Sequence, residues 1–286
     1  MDEKWTRRAW IRRAFWGAGG AGGLLAYAAG WEPFRPVLEK VEVALPRLPP
    51  ALDGLTIAHL SDLHVQPGFP AVRLRPIVDS VNALRPDLIA LTGDYVNDSY
   101  RQENGEHLRA GLEQLAGLRA PLGVFASFGN HDFPPPPADP PRRFWEAAGI
   151  IPLLDETITL RRGGARLYVT GLRSALVRPT WPGLYLARVP AEGVRLLLWH
   201  EPDRAEEAAQ AGADLMLSGH THGGQVRLPF AGPLVLPPQG RRYPAGLYEI
   251  GGMPLYVTRG IGMLPPLVRL NCPPEITLLT LRRSGV

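Results

Sequence analysis

Apolar residues in this 286-residue chain fall in short blocks, and each block is closed by a polar turn. Residues 38–45 alternate well enough to predict a first strand, which Pro46 and the prolines to Pro50 end. Residues 55–60, 88–91 and 123–128 are compact apolar runs of the kind that form buried strands. Between them Leu74, Ile77, Val78, Val81 and Leu84 recur at helical spacing, and so do Leu108, Leu112, Leu115 and Leu118. Pro76 is tolerated in a first helical turn, and Arg85-Pro86 stops that helix. Residues 142–148 predict a short helix.

The second half reads as richer in strand. Residues 157–160 and 165–171 flank Gly163-Gly164 and predict a hairpin. Residues 194–199 predict a strand, 203–210 a helix with Asp203 near its N-terminus, and 215–217 another strand. Residues 225–228, 246–250, 255–258 and 275–281 are expected to complete a second sheet. Strands alternating with helices indicate an α/β architecture, in which ligands bind at the carboxyl ends of the strands.

Those ends carry the chemistry. Asp62 and His64 follow the run at 55–60, Asp94 follows 88–91, and Asn130 and His131 follow 123–128. His200 follows 194–199, and His220 and His222 follow 215–217. Five of the seven histidines are in this set; His59 reads as a core residue and His107 as solvated. Taken singly, Asp62-Leu63-His64 is a capping turn, Gly93-Asp94 a tight turn and His200 a satisfied core histidine. Occurring together, in order and always after an apolar run, they point to one metal site, for which neutral imidazole and carboxylate are suitable ligands.

Composition narrows the alternatives. Apolar content of 45% and charged content of 20% are ordinary for a globular chain. The net charge of +4 owes much to Arg7, Arg8, Arg12 and Arg13, so no basic stripe runs through the folded part and nucleic acid is not expected as a partner. Cys272 is the only cysteine, which excludes intrachain disulfides and cysteine-rich zinc sites. Four prolines, Pro134 to Pro137, predict a rigid extended segment just past His131.

Residues 1–30 read as separate from the fold. Arg12-Arg13 precedes an aromatic and a Gly/Ala-rich run, and Ala26-Tyr27-Ala28 suits signal-peptidase cleavage. The segment resembles a twin-arginine (Tat) export signal, cleaved or kept as a membrane anchor, with the Tat translocon as a transient partner. Residues 31–37 are expected to be a linker, and residues 38–286 one domain on the extracytoplasmic face.

The motifs in order are Asp62-Leu63-His64, Gly93-Asp94-Tyr95-Val96-Asn97, Gly129-Asn130-His131-Asp132, His200 and Gly219-His220-Thr221-His222. They resemble those of the calcineurin-like metallophosphoesterase superfamily, with Asn97 standing where many members have Asp. Ser61-Asp62-Leu63-His64, Thr258-Arg259-Gly260-Ile261-Gly262 and the stretch from Arg269 to Glu275 are similar to its bacterial exported or membrane-associated branch. That branch includes enzymes similar to those that cleave UDP-2,3-diacylglucosamine.

The resemblance implies a four-layer α/β/β/α sandwich with two mixed β-sheets. It implies two divalent metal ions (Mn, Fe or Zn), one held by Asp62, His64 and His222, the other by Asn130, His200 and His220, with Asp94 bridging. It further implies a hydroxide shared by the metals as the nucleophile, His131 as general acid and Asp132 orienting His131. The substrate is expected to be a phosphodiester or pyrophosphate, with a lipid or nucleotide-lipid and a membrane surface favoured by apolar Phe230, Leu234, Val235 and Leu236, and by Met263, Leu264, Leu267 and Val268. A broad phosphomonoesterase or nucleotidase is the rival enzyme. A non-catalytic metal-binding scaffold is disfavoured because the full ligand set is present.

Overall fold

The computed structural model describes residues 22–97, 102–133 and 138–284. The Arg12-Arg13 pair and the Pro134 to Pro137 segment lie outside the described residues.

In chain order the strands are β1 (Val37–Leu45), β2 (Thr56–Leu60), β3 (Leu88–Thr92), β4 (Val124–Ser127), β5 (Ile151–Pro152), β6 (Glu156–Arg162), β7 (Ala165–Gly171), β8 (Val194–Leu198), β9 (Leu215–Ser218), β10 (Arg227–Leu228), β11 (Gly232–Pro233), β12 (Gly246–Ile250), β13 (Met253–Val257) and β14 (Glu275–Arg283). The helices are α1 (residues 22–30), α2 (Leu74–Ala83), α3 (Gln102–Leu115), α4 (Arg142–Ala147), α5 (Gly183–Leu186) and α6 (Ala205–Gln210).

Two six-stranded mixed sheets form, in the orders β1-β14-β2-β3-β4-β5 and β12-β13-β9-β8-β7-β6. In the first, β2 to β5 are parallel and β14 runs antiparallel to β2. In the second, β7, β8, β9 and β13 are parallel, flanked by the antiparallel partners β6 and β12.

The central strands read as continuous apolar runs because both faces are covered. Ala58, Leu60, Ile89 and Leu91 pack outward under Leu74, Ile77, Val78 and Val81 of α2. Their alternating neighbours Ile57, Leu88 and Ala90 point inward, against Leu196, Leu198, Leu215 and Leu217 of the second sheet. Leu197, Trp199 and Met216 face the other way, onto Ala205 and Ala208. Period-two alternation thus divides each strand between two cores and produces four layers, α/β/β/α.

Two expectations need correction. The last strand, β14, belongs to the first sheet, between β1 and β2, and not to the second. Chain order does not set strand order; a nine-residue parallel register with β1 does. Residues 225–228 do not extend the second sheet either. Only Arg227 and Leu228 are extended, and they pair with β11 in a separate two-stranded ribbon. Asp203 stands near the N-terminus of α6, as expected, and its carboxylate accepts the backbone N–H groups of Arg241 and Arg242, both at 3.0 Å, which holds the loop ahead of β12.

Residues 31–37, expected as a linker, pack against the domain. Glu32 is buried, Phe34 stacks on Phe69 at 6.4 Å, and the Ala28 carbonyl accepts the Arg269 N–H at 2.8 Å.

Candidate metal centre

Each ligand-type residue sits just beyond the carboxyl end of a strand, where the backbone turns sharply away. Asp62, His64, Asp94, His220 and His222 all adopt left-handed conformations, with φ of 53°, 42°, 56°, 70° and 51°. Such angles are uncommon for residues with a Cβ and cost about 1–3 kcal/mol each. Hydrogen bonds hold the turns in place. The Asp62 carboxylate accepts the His220 N–H at 3.0 Å, joining the ends of β2 and β9 across the sandwich. The Asp132 carboxylate accepts three main-chain N–H groups, from Gly129, Asp94 and Tyr95, at 2.8, 2.8 and 2.9 Å. It therefore fixes the turns after β3 and β4 to each other.

Two triads result: Asp62, His64 and His222, and Asp94, His200 and His220. In each, one potential ligand atom per residue lies within 4.8 Å of the others, and all six residues are buried. His222 Nε2 is 3.1 Å from His64 Nε2 and 3.3 Å from Asp62 Oδ1. Asp94 Oδ2 is 3.1 Å from His200 Nε2 and 3.5 Å from His64 Nε2, so this carboxylate faces both triads. Backbone carbonyls orient two of the rings. His200 Nδ1 bonds the Thr92 carbonyl at 2.6 Å and His220 Nε2 the Pro238 carbonyl at 2.7 Å. The opposite ring nitrogen, Nε2 of His200 and Nδ1 of His220, is left for a metal.

The donor set fits divalent cations. Asn130 Oδ1 is buried without a hydrogen-bond partner, although a buried polar atom is normally satisfied. No side chain larger than glycine fits at Gly129 or Gly219: a Cβ at the first would overlap Asp94 Oδ1 and one at the second Asp62 Oδ2.

The electrostatics agree. Burial opposes ionisation of Asp94, but His200, His131 and His64 hold its carboxyl well below the usual range. Burial also opposes charge on His200, yet Asp94 and Asp62 push its pKa well up. A positive charge is thus favoured beside Asp94. Burial pushes His64 down to about 3 and His222 well down, which keeps both neutral, as metal binding requires. Asp132 is pushed up to about 7 by burial and by Asp94.

His131 is half-buried at the edge of the first triad, its ring 5.1 Å from that of His64 and its N–H bonded to Asp94 Oδ1 at 2.9 Å. His131 and the two triads therefore lie together, and Asn130 directly precedes His131 in the turn after β4. His59 lies apart, between the sheets, with Nε2 2.9 Å from the Thr92 hydroxyl. Sequence reasoning does not reveal the carbonyls of Thr92 and Pro238, nor the roles of Glu32, Arg269 and Cys272 near the site. Backbone atoms carry no sequence signal, and a Pro-Pro turn or a single Arg reads as loop.

A two-sheet sandwich whose strand ends converge on paired Asp/His triads defines a metallophosphoesterase. Residues 55–224 match the family model for calcineurin-like phosphoesterases, and the chain belongs to that family. It is 33% identical over 291 residues to metallophosphoesterase YkuE of Bacillus subtilis (strain 168), covering 99% of this chain and 100% of that protein. It is 35% identical over 231 residues to phosphodiesterase YaeI of Escherichia coli (strain K12), covering 79% of this chain and 81% of that one. Among solved structures, the 5'-nucleotidase precursor from Thermus thermophilus aligns with a TM-score of 0.48 at 17% identity, over 79% of this chain and 54% of that one.

Proposed function

We propose that the chain hydrolyses phosphodiester or pyrophosphate bonds using two divalent cations, one at each triad. The observation that carries this reading is the position of Asp94, whose Oδ2 lies within 3.5 Å of a histidine from each triad. Two nearby cations repel unless an anion stands between them, and Asp94 would supply that anion. Bound there, divalent metals supply charge for the phosphate oxygens and lower the pKa of a water toward about 7.

The remaining chemistry belongs to the chain. Asn130, in the turn after β4, would offer a neutral oxygen that is otherwise without a partner. His131, outside both triads but beside them, holds and then donates a proton to the leaving oxygen. Asp132 acts through the backbone, by locking the turns that carry Asp94 and Asn130.

The preference for a diester or pyrophosphate is supported by the likeness to a protein named phosphodiesterase. Exposed apolar residues beside the site support a substrate with a lipid-like part. Gly224 packs against Pro233, and the loop that continues through exposed Leu234 and Val235 reaches the Pro238 carbonyl on His220. Phe230, at the tip of the same ribbon, is fully exposed. By contrast Met263 is buried and Leu267 packs on the helical core, so that loop offers less to a ligand. With the basic, twin-arginine-led N-terminus, this favours action at the outer face of the cytoplasmic membrane.

The test is a substrate panel on protein loaded in turn with Mn²⁺, Fe²⁺ and Zn²⁺. A bis-aryl phosphodiester or a nucleotide pyrophosphate should turn over faster than the matching monoester. Faster monoester turnover would replace this reading with a phosphomonoesterase. Flotation with lipid vesicles checks the membrane part separately.

A further inference from the structure

Glu32 and Arg269 lie outside the 55–224 family match, yet both reach the first triad through short chains of hydrogen bonds. Glu32 is 4% exposed. Its two carboxylate oxygens accept consecutive main-chain N–H groups, from Asn271 at 3.1 Å and Cys272 at 2.5 Å. Asn271 has φ of 52°, and this left-handed turn aims both donors at one anion. Cys272 Sγ in turn donates to the His222 carbonyl at 3.2 Å.

Arg269 is fully buried. Its guanidinium donates to the carbonyls of Arg259, Gly260, Gly262 and Cys272, at 2.9, 3.2, 2.7 and 2.9 Å. A buried cation spent on backbone carbonyls specifies the shape of the loop that supplies them. That loop supports Asp62: Gly262 N–H bonds the Asp62 carbonyl at 2.7 Å, and Ile261 N–H bonds the Ser61 carbonyl at 3.0 Å. A Cβ on Gly260 would come within 2.7 Å of the Asp62 Cβ, so loop and ligand are in close contact.

Both relays end on Asp62 and His222, members of the same triad. The other triad is held differently, with Asp94 on Asp132, His200 on Thr92 and His220 on Pro238. Asp62 also accepts the main-chain N–H of His220 at 3.0 Å, while the His220 ring is held by Pro238. We propose that Glu32 and Arg269 are positioning residues chiefly for the Asp62/His64/His222 triad, which makes the segment ahead of β1 part of the site's scaffold. This rests on the two-metal reading above. It implies that a chain lacking residues 1–36 keeps one metal position and loses the quality of the other.

The experiment titrates Mn²⁺ into the metal-free full-length chain by calorimetry. The wild-type chain should show two binding events. Glu32→Ala should weaken one of them by about 10–100-fold, and leave the other within about twofold. Glu32→Gln, which keeps one carbonyl acceptor, should fall between the two. Placing Glu32→Ala on a His64→Ala background, which leaves the Asp62–His220 bond in place, should leave the surviving event unchanged, which assigns the effect to the first triad. Cys272→Ala removes only the Sγ contact to His222 and should reproduce the selective loss in a chain whose Glu32 is intact, even where a Glu32 variant folds poorly. Equal weakening of both events, or no weakening of either, overturns the proposal. Fewer than two events in the wild-type chain would overturn the two-metal reading itself, which keeps the two failures distinct.

Discussion

At the scale of single residues, the site is costly and tightly specified. Five ligand residues hold left-handed backbones. Among the described residues, the buried carboxylates Asp62 and Asp94 face imidazoles, with no Lys or Arg among their ion-pair partners within 4.0 Å. The roles separate by substitution. His131→Ala should keep both metals and lower kcat by about 10²–10⁴, the range of one general acid. Asp94→Ala should lose metal as well as turnover, read by elemental analysis of the purified protein. Asp132→Asn exchanges an acceptor oxygen for an N–H donor facing three N–H groups. It should destabilise the fold by about 1–3 kcal/mol in denaturant unfolding.

His59 gives a pH dependence of definite sign. Burial lowers it from 6.5 to about 3, so the unfolded chain takes up a proton that the folded chain refuses. Its contribution to stability is complete above pH 6.5 and is lost as pH falls toward 3, at up to about 1.4 kcal/mol per pH unit. In metal-free protein, His59→Leu should flatten the acid limb of the stability–pH profile. An unchanged limb would show that other groups carry it.

At the scale of elements, the decisive features are turns that follow strands. β2, β3, β8 and β9 were legible because both faces of each are apolar and each ends in Asp or His. β14 was legible as a strand but not in its place, since strand order depends on a register with β1 more than 200 residues away in the chain. The partners of Asp203 were not legible for a similar reason: its place near a helix start is local, but the N–H groups it holds belong to Arg241 and Arg242.

Turn geometry makes its own prediction. Gly129 has φ of −90°, which alanine tolerates, so Gly129→Ala should fold. Its methyl group would nonetheless occupy the space between Asp94 and His200. The variant should lose metal at the second triad, seen as a fall in bound metal per chain, with the circular dichroism spectrum retained.

At the scale of the whole molecule, each triad draws from both sheets. Asp62, His64 and Asp94 follow strands of the first sheet; His200, His220 and His222 follow strands of the second. Metal ions bound there would tie the two halves of the sandwich together at one end, where the inter-sheet core is interrupted by polar side chains. Binding to the folded state alone stabilises it by about 2.7 kcal/mol when free metal is 100 times Kd. Chelation should therefore lower Tm by several degrees, and readdition of Mn²⁺ should restore it. A Tm indifferent to chelator would mean that the sheets do not rely on the site.

The sequence by itself determined the α/β class, the central strands and the Asp and His residues that gather in the two triads. Alternating burial and strand-end chemistry are local, and local patterns survive in one dimension. The family resemblance implied which of them share a triad, and tertiary structure decided how they meet. Asp62 and His222 are 160 residues apart and meet only because β2 and β9 point the same way across the sandwich. It also decided where β14 inserts, which backbone carbonyls orient the histidines, and that Glu32 and Arg269 underlie the site. Those depend on main-chain atoms and on close approach between distant segments, neither of which leaves a periodic mark in the chain.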